Sequence, residues 1–126
     1  MKTEKIYTRH EQNKEWMNSL LFYNDEMKVM NHRIEEIAAK NSSKEILAQV
    51  EHFQNQLIVQ HDNVDGLKHD INLSNDAIVK QIKESDVALE RKRMKEQSDF
   101  ETKIKDFEKV FSELKNELNV FLSKWM

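Results

Sequence analysis

The feature that most restricts what this chain can fold into is an apolar step of four and three residues, held in phase through three separate stretches. The first runs Trp16, Leu20, Tyr23, Met27, Met30, Ile34, Ile37. The second runs Ile46, Val50, Phe53, Leu57, Gln60, Val64, Leu67, Ile71, with Gln60 its one polar member. The third runs Phe100, Ile104, Phe107, Phe111, Leu114, Leu118, Phe121, Trp125. Such a step returns to one side of an α-helix every two turns, so each stretch predicts a long amphipathic helix with a single apolar seam. A lone helix cannot bury its own seam, and the three must cover one another.

Boundaries follow from capping chemistry. Thr8-x-x-Glu11 has the form of a capping box and sets the expected start of the first helix, which stops at Asn41-Ser42-Ser43. Ser42-x-x-Glu45 offers a second box for the second helix. The sole glycine, Gly66, falls inside that helix, but Val64, Leu67 and Ile71 stay in phase across it, so the helix is carried through. The next expected turn is Glu84-Ser85-Asp86, with Ser85 or Asp86 capping the last helix, and Ser98-x-x-Glu101 competes as a later start.

One glycine and no proline leave little material for tight hairpins or bent loops. Short links make neighbouring helices antiparallel. The expected fold is therefore all-α, an up-down-up antiparallel three-helix bundle of long coiled-coil-like helices over about 8–40, 43–84 and 86–125, in a single domain spanning 1–126. With Thr8 as the start, residues 76–95 extend past the first helix as a two-helix tip, held by Ile82 with Leu89 and Ile78 with Met94, helped by Ile6. The outline resembles that of spectrin-like repeats in architecture alone. It implies no function, because such bundles serve many.

Several chemistries lose their residues at this stage. Phosphate loops and nucleophile elbows need clustered glycines, and one glycine does not supply them. The chain has no cysteine, which excludes disulfides, thiolate metal sites and cysteine nucleophiles and makes a reduced, cytoplasmic setting the expectation. The N-terminal MKTEKIYTRHE is charged where a signal peptide is apolar, and the longest apolar run, Leu20 to Tyr23, is four residues, so neither export by that route nor a membrane span is expected. The net charge is −3, and 16 lysines outnumber 4 arginines. The basic run Arg91-Lys92-Arg93-Met94-Lys95 is interspersed with acidic neighbours and describes a mixed, solvated tip more than a nucleic-acid surface.

Histidines at 10, 32, 52, 61 and 69 all miss the apolar seams, and no Glu-x-x-His pair exists to suggest a di-iron bundle. The sharpest metal candidate is His61, Asp65 and His69, at i, i+4 and i+8 on one stripe, weighed against an ordinary solvated face, which is preferred. The stretch HDNVDG has Asn63, Asp65 and Gly66 where a calcium loop has its third, fifth and sixth positions, but His61 and Asn72 replace both key carboxylates. No metal or cofactor is expected.

What is left is a non-enzymatic interaction, scaffold or adaptor bundle whose partner is another protein or a second copy of itself. The alternatives are a metal- or ligand-binding bundle and a helical chaperone of the secretion or flagellar type. Leu21 and Phe22 on the first helix and Ile58 and Val59 on the second lie off their seams. Counting from the Asn41–Ser43 turn places Phe22 opposite Asp62 and Ile58 opposite Glu26, within roughly 6 Å in height. These four are expected to be exposed as one apolar belt for self-association, or to cover a neighbouring helix if packing is broader than the seams.

Overall fold

The first turn shows how the sequence stops one helix and begins the next. Asn41 donates its side-chain amide to the carbonyl of Ile37 at 2.8 Å, satisfying one of the last free carbonyls of the first helix. Two residues on, the carbonyl of Ser43 accepts the N–H of Leu47 at 3.0 Å, which puts Ser43 at the N-cap. The cap thus falls one residue later than the Ser42-x-x-Glu45 box places it. The computed structural model describes the backbone of residues 2–83 and 87–126, and the side chains of that span except at 2–5, 81–83 and 89. It contains three helices: α1 (Lys2–Lys40), α2 (Lys44–Lys83) and α3 (Val87–Trp125).

Contacts along the helices fix their directions. Pairs of α1 with α3 rise together, from Arg9 with Glu90 through Asn13 with Gln97 to Glu26 with Lys115, so these two run parallel. Pairs of α2 with α3 run oppositely, Phe53 with Phe121 and Asp70 with Lys103. The chain is an all-α, up-down-up three-helix bundle, each helix 39 or 40 residues and about 60 Å long at the usual rise.

Two boundary expectations are corrected. The first helix begins at Lys2, not Thr8. Its four-three pattern continues backward from Trp16 through Asn13 and Arg9 in polar residues that still face inward: Asn13 is 1% exposed and Arg9 7%. The tip at 76–95 is consequently not left to two helices. Ile78 is buried, whereas Met94, its expected partner, is exposed. The Glu84-Ser85-Asp86 turn and the Ile82–Leu89 contact lie outside the described residues. α3 passes through Ser98 unbroken, and Thr102 returns a hydroxyl hydrogen bond to the Ser98 carbonyl at 3.3 Å. α2 passes through Gly66 likewise.

The seams are the core. Leu20, Ile34, Val64 and Leu118 are fully buried, and Gln60 is buried with them, accepting from Asn63 of its own helix at 3.5 Å. Toward the α2–α3 connection the core changes character. There the seam positions of α1 are Arg9 and Asn13, that of α2 is Ser74, followed by the apolar Ile78, and those of α3 are Glu90, Arg93 and Gln97. Asn13 donates to Ser74 Oγ and Asn75 Oδ1, both at 3.0 Å, and its own carbonyl accepts from Gln97 at 3.3 Å. Arg9 pairs with Glu90 beside this layer. A buried amide tied to both neighbouring helices makes a sliding register costly, because any shift strands its donors and acceptors.

The helices are not equally close. α1 and α2 approach most tightly, while α3 stands further from both. Side-chain size accounts for this: α3 brings Phe100, Phe107, Phe111 and Phe121 to the interface, and interaxial distance follows the bulk at the contact.

Candidate functional site

Because α3 is held off by its phenylalanines, open grooves run along its flanks. The one on the α1 side is apolar at its floor, where Met30 and Leu122 are buried, and is walled on α1 by Phe22 and Val29, 58% and 54% exposed. Its volume is about 410 Å³. Phe22 and Val29 are seven residues apart, two turns of one stripe, which is why both face the same groove. Lys115 of α3 bridges it to Glu26 of α1 at 3.1 Å, and Asp25 and Arg33 stand at its α1 rim.

Tyr23 fastens α1 to α3 directly beside this groove. Its ring lies 5.5 and 5.0 Å from those of Phe107 and Phe111, in the tilted and edge arrangements that aromatic quadrupoles favour, and Phe22 meets its edge at 6.1 Å. The hydroxyl donates to Glu108 at 2.8 Å. Desolvation, the Glu108 hydrogen bond, and the charges of Glu108 and Glu26 push this phenol up to about 12.

Of the four expected surface residues, all are exposed: Leu21 44%, Phe22 58%, Ile58 59% and Val59 51%. The groove gathers only Phe22 of these, joining it to Val29 and Leu122 instead of to the α2 pair. Sequence reasoning passed over Val29, although its seven-residue spacing from Phe22 was the signal. Leu122, adjacent to a seam member, is buried at 6% and is found only once α3's distance from α1 is known.

The chain matches no family model, no curated protein and no solved structure. Its chemistry must be taken from its own side chains.

The metal candidate is only half assembled. His61 Nδ1 and Asp65 Oδ2 are 3.5 Å apart, and the third residue near them is Asp62, not His69; the ligand atoms of His61, Asp62 and Asp65 lie within 4.8 Å of one another and all three residues are exposed. His69 instead borders a groove between α2 and α3. Asn63, Asp65 and Gly66 sit inside an uninterrupted helix and form no loop to wrap an ion. In the basic run, Arg91, Lys92 and Lys95 are exposed, but Arg93 turns inward, pairs with Glu96 at 2.7 Å, and leaves its Nε without a hydrogen-bond partner among the described residues. That removes one of the four cations from any phosphate-facing surface. Among the described residues, no helix is long and apolar enough to cross a membrane.

Proposed function

We propose that this protein is a non-enzymatic interaction bundle that associates with a second copy of itself through apolar side chains at mid-height. The observation that supports this most is the large exposed apolar side chains on α1 and α2, Phe22, Val29, Ile58 and Val59, each more than half exposed on a chain whose residues are otherwise 34% charged. Interfaces concentrate their energy in a few such side chains, aromatic ones above all, surrounded by polar groups that exclude water. The setting that fits a chain without cysteines is reducing, and the cytoplasm is the compartment we assign to it.

Sedimentation equilibrium tests the reading. The wild-type chain is expected to be a dimer at micromolar concentration, and Phe22→Glu combined with Ile58→Glu a folded monomer with unchanged helicity. A wild-type chain that stays monomeric at hundreds of micromolar overturns it.

A further inference from the structure

The polar layer near the α2–α3 connection is not closed over by side chains. An open cavity of about 340 Å³ lies between α2 and α3, and the buried amide of Asn13 from α1 lies in its floor. Ile71 and Phe100 line it beside that amide, and Leu73, 54% exposed, carries the apolar surface out to the α2 rim.

Two groups of opposite charge around this cavity have bonding capacity left over. Arg93 gives one guanidinium nitrogen to Glu96 at 2.7 Å, while its Nε is shut off from solvent and has no hydrogen-bond partner among the described residues. A charged donor withheld from water without an acceptor is costly, so such a group favours an acceptor brought from outside the chain. The bond to Glu96, three residues along α3, carries the guanidinium toward Asp99, three residues further on. Residues 96, 99 and 103 share one flank of α3, and Lys103 shows that this flank is turned to α2, because it reaches Asp70 at 3.8 Å. Lys103 stands one turn beyond Asp99 but pairs across the groove instead. Asp99 is left with no ion pair or hydrogen bond among the described residues. The pairs Arg93–Glu96 and Lys103–Asp70 cancel in charge, and what remains unspent is one N–H of a cation and one carboxylate.

We infer that this cavity binds a small zwitterion, an α-amino acid with an apolar side chain. Its carboxylate accepts from Arg93 Nε, its ammonium faces Asp99, and its side chain lies over Phe100 and Leu73. A simple anion would be set against Asp99 and against the carboxylates of Asp70 and Glu96, and a simple cation would leave the Arg93 donor as it is. A ligand with both charges answers both groups at once, and a cavity of this volume holds one small molecule. The site lies away from Phe22 and Val29 and does not depend on self-association.

Calorimetric titration of the full chain with L-leucine, with amide chemical shifts followed by NMR, tests the site. Shifts are expected to cluster at residues 70–74 and 93–103. N-acetyl-L-leucine lacks the ammonium and L-leucine methyl ester lacks the carboxylate, and each is expected to bind about tenfold more weakly than leucine or worse. Asp99→Asn, at an exposed position, should abolish the preference over the N-acetyl compound and keep the preference over the ester. Arg93→Gln, with helicity checked by circular dichroism, should do the reverse. The ladder of three compounds on the wild-type chain decides the matter even if Arg93→Gln does not fold. Absence of shifts at about 10 mM leucine, shifts centred elsewhere on the bundle, equal affinity for the three compounds, or an unchanged preference in Asp99→Asn overturns the site.

Discussion

Asn13 shows how a single amide ties this bundle together. It is almost wholly buried at a position where the other helices offer Ser74, Asn75 and Gln97, and all three of its hydrogen bonds go to α2 or α3. Truncation to alanine strips those partners without giving them a replacement. Asn13→Ala is expected to cost about 1–3 kcal/mol in denaturant unfolding, and a change within a few tenths would mean that the network contributes nothing net. Tyr23 adds a pH dependence. Its phenol ionises near 10 in an unfolded chain but at about 12 in the fold, so the folded state keeps a proton the unfolded state gives up. The contribution is complete below pH 10 and is lost as pH rises from 10 to 12. Stability measured across that window should fall more steeply for wild type than for Tyr23→Phe; identical slopes would count against it. At this scale the sequence was legible where side chains are apolar. It was least legible at Arg9, Asn13, Glu90, Arg93 and Gln97, because polar residues in seam positions look like solvated faces until their partners on other helices are known.

The same property explains where element boundaries were misjudged. Thr8-x-x-Glu11 is a sound local start signal, but it competes with a helix that carries on to Lys2 with tertiary partners at Arg9 and Asn13. Local capping contributes only about 1 kcal/mol, and a helix anchored by cross-helix contacts at Arg9 and Asn13 propagates past Thr8 at little further cost. Gly66 went the other way, since the phase of Val64, Leu67 and Ile71 correctly carried α2 through it. Nothing lies within 4 Å of a Cβ built at Gly66, and its backbone is ordinary helix. Gly66→Ala should therefore stabilise the protein by about 0.5–1 kcal/mol, through the entropy glycine loses on folding. A thermal melt unchanged or lowered by the substitution would indicate a role for the open space beside it.

For the molecule as a whole, direction and topology follow from three seams and short links, while the spacing between helices does not. Periodicity gives the side of each helix that faces inward. It is silent on how far apart the axes lie, which depends on how bulky side chains from different helices interleave. That is why the α1–α3 groove, with Leu122 at its floor, was beyond reach of sequence while Phe22 at its wall was not. The standing-off of α3 also bears on the order of assembly. α1 and α2 are joined by a three-residue link and zip together through close backbone approach, so their pairing closes a short loop first and gains contacts at each successive turn. α3 adheres mainly through a few large rings, which gain their contacts only when they seat in a hairpin already formed. The rate-limiting barrier should then be crossed with α3 still undocked. Phe107→Ala is expected to speed unfolding and leave refolding nearly unchanged, with a φ-value near zero, while Ile34→Val slows refolding. The reverse pattern in stopped-flow chevrons would make α3 part of the nucleus.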